Sequence, residues 1–531
     1  MHKRVAISFF AMTAVFGLLI VNIALIIFNS EISISAQSKN TRSVVLSTSR
    51  GMIYDCNMKR LVNNSAEYLT VCLPTTDAFN TISQNVTDEE KEKIYNNMAS
   101  GKASILTTVQ IYNEPHLKSI RITNRYSHNQ LCAHLIGHLD ENGEGAMGLE
   151  KVYNSYLSQQ SGELRAVWSV DALNHILYGE EITTENNGYL SPAGIQLTID
   201  SDIQKIAENL LAEFEIYEGA IVVMDSETAE ILACASVPEF DPLDLSSALN
   251  NPNSPFINRA TTPYSVGSVF KPFLATVAIE NNIDLTHNCT GSIEINGTNF
   301  HCSDSTAHGT VDMTQAMEVS CNTYFIALGQ KIGSENLLSL CGDFGLGKSA
   351  ELADNMYLKS GQLPSSNNIT SPQAFANLCF GQGELLISPV QMATAYCVFA
   401  NGGYYRPPTL MKGIIDKNGH TIQKVRLPES YRIISESSAE EIDTILESVV
   451  TNGNAIKAFS EFAECHGKTA TAQSGWYEDG IEINHTWFCG YFTANNKKYV
   501  GVVFKEDGIS GSVDCAPVFK ELAESICNIY I

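Results

Sequence analysis

Three short groups of residues have the types and spacing to build a site around an activated serine, although the first pair could equally be two ordinary helix residues. In "TTPYSVGSVFKPFL" (261–274), Ser268 and Lys271 stand three residues apart, where a glycine and a polar loop give way to an apolar run. On a helix this spacing brings both side chains to one face, and no other lysine in the chain has a serine three positions before it. A serine hydroxyl is a weak nucleophile until a neighbouring base takes its proton, and a lysine kept neutral by its surroundings is such a base. The second group is Ser320 with Asn322. Ser38, Ser127, Ser365 and Ser366 also begin a Ser-x-Asn, but Ser320 sits beside an apolar run that would anchor it rigidly. The third is Lys468-Thr469-Ala470-Thr471 in "GKTATAQS", where small and polar residues alternate as they would along a strand edge that presents backbone and hydroxyls to an extended peptide. Lys359-Ser360-Gly361 competes by composition, yet "KSGQLPSSNN" reads as a loop.

Rigid elements must hold these groups together. "GIQLTID" and "GAIVVMDSETAEILACAS" hold apolar β-branched runs, and the second reads as a hairpin around a polar turn. Helical periodicity is expected from near Ser268 through "VFKPFLATVAIE", around "MTQAMEVSCNTYFIALGQKI" and "SPVQMATAYCVFA", and in the C-terminal "CAPVFKELAESICNIY". Strands return at "HTWFCGYF" and "KYVGVVFKE". Strands first, helices in the middle, then strands and a helix imply an α+β fold in which helices cover an antiparallel sheet.

At 531 residues the chain exceeds a single hydrophobic core. A net charge of −25 argues against nucleic acid, which needs clustered cations. Residues 5–28 carry no charge and are long enough to span a bilayer, with Lys3 and Arg4 on the short side; the positive-inside rule then keeps residues 1–4 cytoplasmic and exports the rest. A retained anchor fits this length better than a cleaved signal peptide. The expected organisation is a tail (1–4), a transmembrane helix (5–28), a linker (29–45), a mixed α/β region with no site-like residue cluster (46–190) and a catalytic domain (191–531).

Fourteen cysteines are unusual for an exported chain, and most read as small core residues. Cys289 and Cys302 flank a hairpin signal at Asn296-Gly297 and fall on one face, which leaves a disulfide and two free thiols both open. Zinc with His308 as third ligand lacks a visible fourth, so no metal is expected, and no cofactor.

The order of the three groups resembles that of the class B penicillin-binding proteins, membrane-anchored D,D-transpeptidases of peptidoglycan synthesis. "RGMIYDCNMKRL", "AHLIGHLDENGEGAMGLEKVYNSYL", "LTIDSDIQKIAE", "SCNTYF", "GQGELLISPVQMATAY" and "HTWFCGYF" are similar to further motifs of that family, so the resemblance covers nearly everything after the anchor. It implies an elongated pedestal or dimerisation domain over 46–190 and a serine β-lactamase-like transpeptidase domain after it. It also implies stem peptides ending in D-Ala-D-Ala as substrate, β-lactams as inhibitors, and a membrane glycosyltransferase and other wall-synthesis proteins as partners, in cell shape or division. Ser268 would be the nucleophile and Lys271 its base. Ser320 would relay a proton to the leaving amine, and Asn322 would hold the substrate amide. Lys468, Thr469 and Thr471 would take the terminal carboxylate, with the backbone N–H groups of Ser268 and Thr471 as oxyanion hole. Met58, Val266, Ala229 and Ala470 stand where the family usually has glycine or proline, and Ala470 is expected to retune activity. A weakly active scaffold and a D,D-carboxypeptidase are the alternatives. A β-lactamase is disfavoured, because "ELADN" (351–355) lacks the leucine of the class A box.

Overall fold

A computed structural model describes residues 2–28, 41–171, 173–177, 179–365, 369, 371–478 and 480–530. The N-terminal segment is one helix, α1 (His2–Phe28), and its stretch Ala6–Leu25 is long and apolar enough to cross a membrane. Of the linker expected over 29–45, residues 29–40 lie outside the described residues, and 41–45 belong to the strand Thr41–Ser49.

The chain divides into two compact units and passes between them more than once. One comprises 1–50, 65–125 and 161–191; the other comprises 51–64, 126–160 and 192–531. In the first, Gly162–Ser169 lies between Thr41–Ser49 and Thr183–Asn187, while Ser65–Cys72 and Leu117–Asn124 are the inner strands of a four-stranded sheet. Its helices Thr76–Ile82 and Asp88–Ala99 open on Thr75 and Thr87, whose hydroxyls accept from backbone N–H groups of the first turn. In the second unit, Met52–Tyr54 pairs in parallel with Gly194–Leu197, which explains why 51–64 leaves its sequence neighbours. Buried Asp55 fastens that segment by accepting from the Asn57 and Lys59 N–H groups and, at 2.6 Å, from the Ser201 hydroxyl.

The second unit is built on a five-stranded antiparallel sheet. Following helix α2 (Ser201–Glu213), strands β1 (Gly219–Asp225) and β2 (Ile231–Val237) form the expected hairpin. After a block of helices come β5 (Cys465–Glu478), β6 (Ile481–Ala494) and β7 (Lys497–Lys505); β3 and β4 are the small hairpin Ser292–Ile295 and Thr298–His301. The strand order is β2-β1-β7-β6-β5, so β5 is an edge. Central strands are buried on both faces, and accordingly "AIVVM", "WFCGYF" and "YVGVVF" read as continuous apolar runs instead of alternating.

Helices α3 (Lys271–Glu280), α4 (Asn322–Ile332), α5 (Pro389–Ala400), α6 (Glu436–Thr451) and α7 (Ala516–Ile529) complete this layer arrangement. α3 and α5 are apolar on every side and correspondingly buried on every side, the signature of a core helix. Phe273 on α3 meets Phe344, Tyr396 and Phe399 at ring-centroid distances of 5.0, 6.2 and 5.5 Å. Burying such aromatics contributes about 2–3 kcal/mol each, and it fixes the helix whose first residue is Lys271.

Candidate active site

The helix expected from near Ser268 divides in two. Gly267–Phe270 is a 3-10 turn, and the α-helix begins at Lys271, whose backbone N–H donates to the Ser268 carbonyl. In a 3-10 turn residues i and i+3 eclipse, so Ser268 and Lys271 are stacked more directly than an α-helix would place them. The turn is tied down on several sides. Gly267 N–H donates to the Gly381 carbonyl at 2.9 Å, the Tyr396 hydroxyl to the Val269 carbonyl at 2.9 Å, and the Trp487 indole N–H to the Ser265 carbonyl at 2.9 Å. Gly267 and Gly381 both have positive φ, and a Cβ on Gly381 would fall 1.9 Å from the Gly267 carbonyl oxygen. Only glycine permits that approach.

The Lys271 amine is fully buried and surrounded by the second motif. Its Nζ donates to the Ser320 carbonyl at 2.7 Å and to Asn322 Oδ1 at 2.7 Å, lies 3.1 Å from Ser320 Oγ, and sits 5.4 Å from the Phe325 ring centroid. Burial pushes this amine down to about 7, with the sulfurs of Cys321 and Cys302 acting in the opposite direction. A neutral amine has two hydrogens and one lone pair. The two shortest contacts use both hydrogens, which leaves the lone pair to accept from a hydroxyl. Ser320 is held in a left-handed conformation at φ 54°, and α4 starts two residues later at Asn322, so one sharp turn presents both side chains to the lysine. The Asn322 amide also donates to the His301 carbonyl at 2.9 Å.

Lys468, Thr469, Ala470 and Thr471 lie on β5, paired with Cys489, Phe488, Trp487 and Thr486 of β6. The opposite edge of β5 approaches the turn that carries Ser268: a Cβ on Gly267 would come within 3.3 Å of Ala472 Cα and of the Thr471 carbonyl oxygen. Lys468 is fully buried, donates to the Thr469 carbonyl at 3.1 Å, and lies 3.5 Å from Asn454 Oδ1. Burial, reinforced by the charge of Lys271, holds its amine well below the ordinary lysine range. The Thr469 hydroxyl donates to the same Asn454 oxygen at 3.3 Å, and exposed Thr471 accepts from Gly511 N–H at 3.4 Å. Lys359, by contrast, is exposed in a loop.

Ala470 has an ordinary negative φ and is buried, so its methyl group causes no backbone strain. Met58 and Ala229 do adopt left-handed φ, at 63° and 53°, positions where glycine would be free of penalty.

The sequence reading missed two residues. Asn454, in "TNGN", joins Lys468 to Thr469, and nothing in that short polar stretch signals what the asparagine touches. Cys321, between Ser320 and Asn322, has its Sγ 3.8 Å from Cys302 Sγ and belongs to a cluster with Cys289 and His308. This is the fourth donor that the zinc reading lacked. The disulfide alternative is corrected as well: Cys289 and Cys302 Sγ lie 3.7 Å apart and are not bonded. The β3–β4 hairpin forms around Asn296-Gly297 as expected, but Cys289 continues into a strand paired with Gly309–Val311 while the Cys302 sulfur also contacts Cys321.

A family model described as the penicillin binding protein transpeptidase domain matches residues 219–524. Stage V sporulation protein D of Bacillus subtilis is 28% identical over 511 residues, covering 89% of this chain and 76% of that protein. Peptidoglycan D,D-transpeptidase MrdA of Haemophilus influenzae is 25% identical over 603 residues, covering 99% of this chain and 92% of that protein. Among solved structures, one from a study of the structural coordination of polymerization and crosslinking by a peptidoglycan synthase complex matches with a TM-score of 0.70 at 22% identity, over 98% of both chains. With more than half its length in the transpeptidase domain and relatives named as D,D-transpeptidases along nearly the whole chain, the chain belongs to the penicillin-binding protein transpeptidases, in their class B, D,D-transpeptidase branch.

Proposed function

We propose that this protein cross-links peptidoglycan stem peptides through an acyl-enzyme on Ser268. The observation that carries the reading is the buried Lys271 amine, one turn beyond Ser268, with both of its hydrogens directed at Ser320 and Asn322. The Ser268 hydroxyl attacks the penultimate D-alanine carbonyl and its proton passes to the Lys271 lone pair. The developing oxyanion is met by the backbone N–H groups of Ser268 and Thr471; such donors typically contribute about 3 kcal/mol each. As the C–N bond breaks, the proton moves through Ser320 to the leaving amine and D-alanine departs. An amine of a neighbouring stem peptide then attacks the ester, Ser268 regains its proton, and a new amide remains.

Lys468, Thr469 and Thr471 receive the terminal carboxylate. Among the described residues the hydrogen-bond partners of Lys468 include no counter-ion; an arriving carboxylate favours its protonated form, so binding and proton uptake are coupled. The Asn322 amide has one N–H beyond that given to His301, and it orients the substrate backbone. β-Lactams would acylate Ser268 in place of substrate. Helix α1 anchors the chain with residues 1–4 cytoplasmic and the catalytic unit outside, where a membrane glycosyltransferase supplies the glycan strands; the synthase complex from which a matching structure comes supports that partnership.

Labelling with a fluorescent penicillin tests the reading. Wild type should gain a covalent adduct on the tryptic peptide containing Ser268, and Ser268→Ala should gain none. An adduct elsewhere, or none on folded wild type, would defeat the assignment.

A further inference from the structure

We propose that Glu318 is a positioning residue: it joins the turn carrying Ser320 to the loop carrying Asn454, and through Asn454 it sets the Lys468 amine and the Thr469 hydroxyl for the substrate carboxylate. The role given to Lys468 rests on the transpeptidase reading. Two helices end side by side here. The short helix Met313–Glu318 stops two residues before Ser320, and α6 stops at Thr451, three residues before Asn454. Carbonyls in the last turn of a helix have no partner within it. The Glu318 carbonyl finds its donor across the joint, in the Asn454 N–H at 3.0 Å.

Side chains close the same joint. The Ser448 hydroxyl, in the last turn of α6, donates to Glu318 Oε1 and accepts from the Asn452 amide at 3.2 Å, while the Asn452 N–H donates to the Ser448 carbonyl at 2.8 Å. A hydroxyl has one hydrogen, so its bond to the carboxylate fixes the rotor. Gly453 lies between these contacts. A Cβ there would fall 2.9 Å from Glu318 Cα, 2.9 Å from the Glu318 carbonyl oxygen and 2.8 Å from the Val449 carbonyl oxygen. All three are backbone atoms that cannot turn aside, so the segments meet this closely only because residue 453 has no side chain.

The joint carries part of the site at each end. On one side the Ser320 carbonyl and Asn322 Oδ1 hold the Lys271 amine, each at 2.7 Å. On the other, Asn454 Oδ1 lies 3.5 Å from Lys468 Nζ and accepts from the Thr469 hydroxyl at 3.3 Å. Asn454 sits in an exposed turn, outside helix and strand, so regular secondary structure does not fix it. Its backbone bond to Glu318 and the bare Gly453 contact do. At 3.5 Å the contact to Lys468 is at the outer limit of a hydrogen bond, and a shift of a few tenths of an ångström in Asn454 removes it. Glu318 therefore acts on binding, and only by way of Asn454.

The test is stopped-flow acylation of the full-length chain in detergent, by a penicillin and by the methyl ester of the same penicillin. Glu318→Ala should raise half-saturation for the penicillin by about three- to fivefold, the worth of the one hydrogen bond it acts through, while the limiting rate moves far less. The ester offers Lys468 no charge and should show no such rise, whereas a general loosening of the fold would weaken both compounds alike. Glu318→Gln keeps an acceptor oxygen for Ser448 and should restore most of the affinity. In the Asn454→Ala background, adding Glu318→Ala should raise half-saturation no further. Should circular dichroism show Glu318→Ala to be unfolded, Ser448→Ala removes the same bond from the α6 side and carries the same expectations for the penicillin, the ester and the double variant. An unchanged half-saturation, equal weakening of the ester, glutamine as damaging as alanine, or factors that multiply in the double variant would each overturn the proposal. Absence of an adduct on folded wild type would defeat the transpeptidase reading and this proposal with it; a labelled wild type with indifferent variants would defeat the proposal alone.

Discussion

Two lysines, Lys271 at the start of a core helix and Lys468 on an edge strand, are both wholly buried and both held below the ordinary lysine range by that burial. Their partners differ. Lys271 has two oxygens at 2.7 Å and a third at 3.1 Å, whereas Lys468 has one carbonyl at 3.1 Å and one amide oxygen at 3.5 Å. The first amine is satisfied within the protein and leaves only its lone pair unused, which suits a base. The second is under-partnered, which suits a site completed by a ligand's negative charge. Desolvation alone therefore does not assign a role; the count of acceptors around each amine does.

Substitution at the two sites should separate those roles, with the largest effect at Lys271. Lys271→Ala removes the proposed general base and should lower the limiting acylation rate by roughly 10³-fold, with little change in half-saturation. Lys468→Ala should instead raise half-saturation for a carboxylate-bearing β-lactam by roughly 10–100-fold, the worth of a charge-assisted hydrogen bond. Stopped-flow acylation resolves both parameters, and equal losses in both variants would erase the distinction.

A pH profile sharpens it. As the proposed base, Lys271 would react in its neutral form, and burial lowers its amine to about 7, so it is increasingly protonated as pH falls below that value. The acylation rate should therefore be level above about pH 7 and fall by about tenfold per unit below it. A flat acid limb would remove Lys271 from the role of base.

Smaller effects are expected around the strand. Asn454→Ala should weaken binding by about 1 kcal/mol through loss of the contact shared by Lys468 and Thr469, with the limiting rate nearly unchanged. The glycine-like positions provide the finest contrast. Ala229→Gly relieves a left-handed φ and should raise unfolding stability by about 0.5–1 kcal/mol, whereas Ala470→Gly relieves nothing and should lower it by a similar amount. Denaturant melts measure both, and a matching sign would refute the argument from φ.

Much of the site was legible because its chemistry is local. The spacing of Ser268 and Lys271, the apolar run beside Ser320 and the alternation in "GKTATAQS" each describe one element, and local patterns report single elements well. The expected continuous helix through Ser268 became a 3-10 turn because contacts from Gly381, Tyr396 and Trp487, all distant in sequence, hold it there. Lys359 and Lys468 were separable by context because one stretch reads as loop and the other as strand. Asn454 and Cys321 were not legible, since neither has a local signature for the partner it meets.

The sequence by itself determined the i,i+3 pairing of Ser268 with Lys271, the apolar N-terminal helix, the strand hairpin and the helices that cover the sheet. It did so because periodicity and i,i+3 spacing are properties of adjacent residues. Only the tertiary structure decided that two buried lysines carry unequal sets of acceptors, and that Cys289, Cys302, His308 and Cys321 converge. Both outcomes depend on which distant segments pack together, and that packing is set by burial of the whole core, to which no short stretch of chain gives access.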